Sequence, residues 1–429
     1  MPPSPARHGL QQTLDAATAR YVQRNPKSKA LHDEAAKSLP GGGTRSVLYT
    51  DPFPLSLRSG HGHAVTTEDG HNLVDLLGDF TAGLYGHSHP VIQGVARHIF
   101  EDVGLHMGGT VAQEQLLASA VCQRFGLELV RFTSSGTEAN LQALAAARHF
   151  TKKRKIVVFA NGYHGSVLGF AGGQAAANNV DVDDWIVAEY NHLESAAKAI
   201  RSPGVAAVLM EGMQSAGGCV CGTPEFLACV EQTASEVGVL FILDEVATSR
   251  LSAGGLAGIH ELKPDLKSLG KWLGGGVAFG AFGGRADVMA AFDARLAPDA
   301  LPHSGTFNNN TLAMHLGHAG LTRIYTPRAA DDFTARGDGL RARLDAATEG
   351  TRMHWTGRGT LMSAHFAADG DEARKLCDLL WFEMLEAGFW IARRGLVALI
   401  LGTPQDALDR FVECVGDFVS RNEGLIALS

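Results

Sequence analysis

Five short apolar runs, at residues 128–132, 156–159, 186–187, 205–210 and 239–243, follow or alternate with helical segments near 90–103, 113–125 and 138–151. Runs this short and apolar on both faces suit strands that are buried on both sides. Strands separated by helices form a parallel sheet covered by helices. The pattern therefore predicts an α/β unit with a mostly parallel sheet over about residues 86–325. In such sheets ligands collect at the carboxyl ends of the strands, so the polar residues just past each run deserve inspection.

The flanks have another rhythm. Leu14, Ala17 and Tyr21 suit an amphipathic helix over 13–24 that ends before Pro26, and a second helix over 28–39 stops at Pro40-Gly41-Gly42-Gly43. Residues 53–77 read as a meander of short strands, punctuated by Gly60-His61-Gly62 and Glu68-Asp69-Gly70. After Tyr325, helices near 328–347 and 370–387 flank strands at 359–366 and 395–401, an α+β arrangement. The expected domains are 1–85, 86–325 and 326–429, with the two ends of the chain forming one small α+β domain. Residues 1–9 are expected to be disordered.

A chain of 429 residues exceeds the size at which one core keeps growing, which agrees with several units. Its net charge of -8, with both signs mixed along the chain, argues against nucleic acid as principal partner. The basic run Lys152-Lys153-Arg154-Lys155 reads as a solvated connection. No apolar run reaches the roughly 18–20 residues that span a bilayer, and the N-terminus lacks the pattern of an export signal. Six cysteines in so long a chain are no disulfide framework. The pairs His61/His63 and His87/His89 lack the carboxylates or thiols that would complete a metal site. A cytoplasmic protein without a metal is the expectation.

Four stretches carry chemistry. Ser134-Ser135-Gly136-Thr137 opens a helix and offers N–H groups, hydroxyls and a positive dipole end to a phosphate. Taken alone, the motif fits a plain N-cap better. Asp244 ends the run Phe241-Ile242-Leu243, where a carboxylate is costly to bury without a cation, either a structural partner or a protonated ring nitrogen. Tyr163, in Asn161-Gly162-Tyr163-His164-Gly165, could stack on a flat ligand or merely decorate a turn. Lys271, in Leu269-Gly270-Lys271-Trp272-Leu273-Gly274-Gly275-Gly276, alone reads as part of a flexible loop. Together they meet the requirements of pyridoxal 5′-phosphate: a phosphate cradle, a stacking ring, a carboxylate for the ring nitrogen and an amine.

In this order the motifs Ser-Gly-Thr-Glu-Ala-Asn, Tyr-His-Gly, Asp-Glu-Val, Leu-Gly-Lys and Gly-Ala-Phe-Gly-Gly-Arg resemble those of the class III, fold type I aminotransferases, from about Pro40 to the C-terminus. The resemblance implies a homodimer with a shared active site. It implies Lys271 as the lysine bonded to the cofactor, Asp244 at its ring nitrogen, and Ser135, Gly136 and Thr137 on the phosphate. Tyr163 and Val246 would face the ring, and Thr306 would reach the phosphate of the partner subunit. Glu211 and Gln214 match the family's Glu-Pro-x-Gln strand end, although Gly212 replaces the proline and leaves the rigidity of the loop open.

Two branches of the family compete. Gly284-Arg285-Ala286 and Ser304-Gly305-Thr306-Phe307 look like glutamate-1-semialdehyde 2,1-aminomutases. Arg45-Ser46-Val47-Leu48, Asp51-Pro52-Phe53-Pro54-Leu55 and Thr248-Ser249-Arg250-Leu251 look closer to the aromatic β-amino acid aminotransferases, those acting on (S)-β-phenylalanine. A transaminase accepts an amino donor and a 2-oxo acid such as 2-oxoglutarate or pyruvate in turn, a ping-pong scheme, and each substrate carries a carboxylate. The resemblance gives the donor's carboxylate to Arg45 and the acceptor's to Arg394, with the neighbouring Arg393 able to exchange roles with it. An aminomutase keeps its nitrogen within one substrate and has no obvious use for the second arginine.

Overall fold

The computed structural model describes residues 5–296 and 298–428. They divide into two compact units: Pro90–Ala335, and a second unit that joins the N-terminal part up to His89 with the chain from Arg336 onward.

The Pro90–Ala335 unit is built on a seven-stranded sheet. Its spatial order is Leu129–Thr133, Gly280–Gly284, Leu266–Gly270, Leu240–Asp244, Val205–Glu211, Lys155–Phe159, Trp185–Ala188. The last five run parallel, and Gly280–Gly284 is antiparallel to both of its neighbours. The five apolar runs of the sequence are all strands here, within one or two residues at each end. Val205–Glu211 and Leu240–Asp244 are buried along their whole length, which explains why they carry no polar alternation.

Two strands were not legible in the pattern. Leu266–Gly270 holds Lys267 and Ser268, and Gly280–Gly284 is Gly-Ala-Phe-Gly-Gly, a poor strand sequence by propensity. The glycines are dictated by crowding. A Cβ at Gly280 would lie 2.1 Å from the Ser135 carbonyl oxygen, and one at Gly283 2.3 Å from that of Leu129. Small residues serve the covering helix too. Gly136–Thr151 lays Ala139, Ala143, Ala146 and Ala147 into the core with Ile156, Val158, Leu209 and Ile242, so the helix and its N-terminal turn sit close to the strand ends.

The other unit holds two small sheets. One is ordered Leu57–His61, Ala64–Thr67, Asn72–Asp75, Phe389–Trp390, with the last strand parallel to its neighbour. The other is the antiparallel set Met353–Arg358, Leu361–Phe366, Leu396–Ala398. The first helix spans Pro5–Arg24 and so corrects the expectation of disorder for residues 5–9; residues 1–4 lie outside the described residues. Tyr21 anchors it, with its ring against Phe53, Trp381 and Phe382 and its hydroxyl donating to the Phe53 carbonyl at 2.8 Å. The second helix, Pro26–Ala35, ends earlier than its sequence suggests. Residues 36–39 are exposed and lack the packing that would extend a short helix. Among the described residues no helix is long and apolar enough to cross a membrane.

Candidate active site

In the Pro90–Ala335 unit the sheet delivers two acids to neighbouring strand ends. Parallel pairing sets Asp244 opposite Glu211 on one side and Ser268 on the other. Asp244 is 4% exposed. Its Oδ2 accepts from Asn140 Nδ2 and pairs with His164 Nδ1, both at 2.8 Å, and its Oδ1 accepts from the Val246 N–H at 3.0 Å. Burial pushes the carboxyl upward, but the His164 hydrogen bond and charge, the Val246 amide and Asn140 outweigh it and hold Asp244 below its ordinary value. Three donors on a group with about four lone-pair sites leave an acceptor position on a buried anion.

Glu211 goes the other way. Burial raises it to about 7, with Asp244 adding to the rise and His164, the Tyr163 amide and Lys271 opposing it. Its Oε2 accepts from the Tyr163 N–H at 3.0 Å and its Oε1 from the Ser215 N–H at 3.3 Å. Gln214 donates to the Ala160 carbonyl at 2.7 Å. These bonds fix both ends of the Ala160–Tyr163 turn. Past Gly212, which stands where the family has proline, Met213–Gln214 pairs with Val220–Cys221 in a short antiparallel ribbon. A Cβ at Gly212 would come within 2.3 Å of Leu256 Cδ2, so a larger residue there would have to turn that leucine side chain aside.

Ser135 is the N-cap of the Gly136–Thr151 helix. Its Oγ accepts from the Glu138 N–H at 3.2 Å while Glu138 Oε2 accepts at 2.9 Å from the N–H of Ser134, the residue before the cap, a variant of the capping box. The plain N-cap and the phosphate cradle are thus the same turn, since a cap leaves other first-turn N–H groups pointing outward. Gly136 is packed against Val246: a Cβ there would be 2.9 Å from both Val246 methyls. Gly270 meets the same side chain, with Val246 Cγ1 3.4 Å from where its Cβ would be. Thr137 Oγ1 accepts from the Ser166 N–H at 3.2 Å. Tyr163 is 49% exposed, so much of its ring is open to a partner.

Lys271 follows Gly270 directly, in a left-handed conformation with φ 55°, and opens the single 3-10 turn Lys271–Gly274. A long side chain with positive φ at a strand end is an uncommon, strained placement of the sort kept at functional sites. The structure therefore brings Ser135, Gly136, Thr137, Val246 and Gly270 with its neighbour Lys271 to one set of strand ends, with Tyr163, Glu211, Gln214 and Asp244 linked beside them. Thr306 lies exposed in the turn closed by the Asn308 N–H on the Gly305 carbonyl.

In the other unit, Arg45 and Arg394 share an aromatic ring. Their guanidinium carbons stand 5.5 Å and 5.4 Å from the centroid of Phe80. Arg45 also pairs with Asp79 at 2.7 Å. Arg393 is committed elsewhere. It grips Asp378 through two nitrogens at 2.5 and 2.9 Å, donates to the Asp51 carbonyl and lies over Trp381 and Phe382. Of the two adjacent arginines, Arg393 is turned to Asp378 and Arg394 to Phe80.

Phe80 and Asp79 were not singled out by the sequence. They belong to a run of four left-handed residues, Gly78, Asp79, Phe80 and Thr81, with φ 51°, 43°, 52° and 83°. Each of the three non-glycine residues costs on the order of 1–2 kcal/mol. Buried Asp75 holds the entry to the run: its Oδ1 accepts from the N–H groups of Leu77 and Gly78 at 2.8 and 2.9 Å, and its Oδ2 pairs with His87. The sequence motifs contain Asn140 and His164 but do not mark them as partners of Asp244. Their signal was position: Asn140 is on the first turns of the capped helix, and His164 adjoins Tyr163.

Comparison with known proteins fits this geometry. The sequence model of the family described as Aminotransferase class-III matches residues 48–405. An uncharacterized aminotransferase of Schizosaccharomyces pombe is 44% identical over 425 residues, 96% of this chain and 97% of that protein. The β-phenylalanine transaminase of Variovorax paradoxus is 44% identical over 434 residues, covering 97% and 98%. The crystal structure of a β-phenylalanine aminotransferase from Variovorax paradoxus superposes with a TM-score of 0.94 at 43% identity, covering 98% of this chain and all of that one.

Proposed function

From the premise that this chain belongs to the class-III aminotransferases, which are enzymes dependent on pyridoxal 5′-phosphate, we propose that it moves the amino group of an aromatic β-amino acid to a 2-oxo acid. The observation that carries the substrate class is the pair Arg45 and Arg394, which meet at Phe80 in a chain 44% identical to a β-phenylalanine transaminase.

Three features favour the named residues as the seat of the cofactor. Asp244 is a buried anion with an acceptor position left over. Gly136 makes a close approach to Val246 that any side chain would block. The capped helix start offers N–H groups to a phosphate. Bound there, the cofactor supplies an electron sink for the carbon that carries the amine. Asp244 accepts a hydrogen bond from the ring nitrogen and keeps it protonated, and His164 and Asn140 hold Asp244 ionised. Ser135, Gly136 and Thr137 hold the phosphate, with Thr306 serving the partner subunit of a homodimer. Val246 and Tyr163 confine the ring. Glu211 and Gln214 anchor the turn that carries Tyr163.

Lys271 Nζ is the base that takes the proton from the amine-bearing carbon and returns it on the other side of the transfer. Arg45 takes the donor's carboxylate, one carbon further from the reacting centre than in an α-amino acid. Arg394 takes the α-carboxylate of 2-oxoglutarate or pyruvate in the second half of a ping-pong cycle, because a guanidinium fork matches a carboxylate.

The test mixes the cofactor-loaded protein with single amino donors and follows the cofactor's visible absorbance. Conversion to the pyridoxamine form with β-phenylalanine, and not with semialdehyde analogues, is the expected result. No conversion with any β-amino acid would sink the reading.

A further inference from the structure

Arg45 already carries a carboxylate. Asp79 Oδ1 lies 2.7 Å from Arg45 Nη1, and the left-handed run 78–81 sets this acid and the shared ring of Phe80 side by side on one strained turn. Arg394 stands over the same ring, and Asp79 pairs with Arg45. Resting on the reading above, in which Arg45 takes the donor's carboxylate, we infer that Asp79 is a positioning and specificity-determining residue. It occupies Arg45 as an internal carboxylate that the donor's carboxylate has to displace.

The physical case has three parts. First, one guanidinium cannot offer the same N–H groups to two carboxylates, and two anions held together repel. The two therefore compete for Arg45. Second, the competition is mild. The side chains of Arg45 and Asp79 are 46% and 59% exposed, so solvent and salt screen the pair and an incoming carboxylate can replace it. Third, the turn is built to present Asp79. Its φ of 43° is one that a β-branched or bulky residue avoids but Asp and Asn accept, and the buried Asp75 pins the turn from beneath. The result is an arginine held in place and shielded by a removable anion, which favours ligands that bring a second hold, such as an aromatic ring, over simple small carboxylates.

Asp79→Asn keeps the left-handed turn and removes the charge. The probe is 3-phenylpropanoate, a carboxylate without an amine, titrated calorimetrically into the cofactor-loaded enzyme at low and at high salt. The Asn variant is expected to bind it about two- to five-fold tighter at low salt, the range of a screened surface pair. The gain should shrink at high salt, and a purely structural change would show no such salt dependence. Equal or weaker binding by D79N overturns the inference. So does a gain that ignores salt. Arg45→Ala separates the two levels of the argument. Loss of probe binding in R45A, with no conversion of any β-amino acid by the unmodified enzyme, leaves the Asp79 relationship standing and removes the proposed reaction. Unchanged probe binding in R45A removes Arg45 as the carboxylate grip, and the role of Asp79 falls with it.

Discussion

Asp244 and Glu211 face each other across two parallel strands, residue against residue, and the fold shifts their carboxyls in opposite directions, Asp244 downward and Glu211 up to about 7. Both are buried, so burial alone pushes both toward the neutral acid. His164 decides between them: it hydrogen-bonds Asp244 at 2.8 Å and reaches Glu211 only through its charge. Two like charges side by side are avoided, and the acid with the better donors stays ionised. The arrangement separates the two: Asp244 is held as an anion, and Glu211, which titrates near neutrality, is a strut that accepts from the Tyr163 and Ser215 N–H groups.

This asymmetry gives the apoprotein a pH signature. Glu211 is raised from 4.5 to about 7, so the folded state binds its proton more tightly than the unfolded state does. The contribution of Glu211 is therefore full below about pH 4.5 and is lost as pH rises toward 7, by up to about 3 kcal/mol. Glu211→Gln should remove that slope. Thermal melts of apoprotein between pH 5 and 7.5 should show the unmodified protein losing stability relative to E211Q. Parallel curves would mean that Glu211 is ionised throughout. Asp244, held low, contributes stability above its unfolded value and loses it only in more acidic solution.

Asp244→Asn should slow the first half-reaction by about 10²–10³-fold, the usual cost of removing one preorganised electrostatic partner. Asn140→Ala and His164→Ala should have smaller effects in the same direction, because they act through Asp244. Single-turnover absorbance changes with the amino donor measure all three. Equal losses in N140A and D244N would place Asn140 directly on the reacting groups.

How far the sequence went depends on what each element is made of. Strands buried on both faces announce themselves as apolar runs, and Leu240–Asp244 and Val205–Glu211 were readable for that reason. Gly280–Gly284 was not, because its residues are chosen by backbone crowding against Ser135 and Leu129, which only the folded neighbours reveal. The residues that converge near Lys271 stood out in the sequence because they form an ordered set of motifs. Asp79 and Phe80 stayed hidden: a run of left-handed residues leaves no mark in composition when only its first member is glycine.

Gly136→Ala places a methyl 2.9 Å from both γ-carbons of Val246, a β-branched side chain with little rotamer freedom. Overpacking of this kind costs about 1–3 kcal/mol. Adding Val246→Ala should recover part of that loss, and a double-mutant cycle on the melting free energies would show the coupling. Additive losses would mean that the two residues relax independently. Cofactor affinity should fall in G136A if the shifted turn carries the N–H groups proposed for the phosphate.

Thr306 is exposed, and its proposed duty lies in the partner subunit. The protein should therefore sediment at about twice its chain mass of 45.4 kDa. Thr306→Ala should leave the dimer intact and weaken cofactor binding by about ten-fold, in keeping with the loss of one charge-assisted hydrogen bond. A monomer that binds the cofactor as tightly as its relatives do would overturn the shared site.

The two adjacent arginines should respond in opposite ways. Arg393 is held by both oxygens of Asp378, by the Asp51 carbonyl and by two aromatic faces, so Arg393→Ala should lower stability by about 1.5–3 kcal/mol and leave substrate affinities near normal. Arg394 lies over Phe80 at the end of the segment that Phe389–Trp390 pairs to the Asn72–Asp75 strand. Arg394→Ala should raise the KM for 2-oxoglutarate by about 10- to 150-fold. Arg394→Lys should restore little, because an ammonium cannot replace the bidentate fork. If R393A loses the 2-oxo acid and R394A keeps it, the two roles are reversed, and the Asp378 pair would have to open for each turnover.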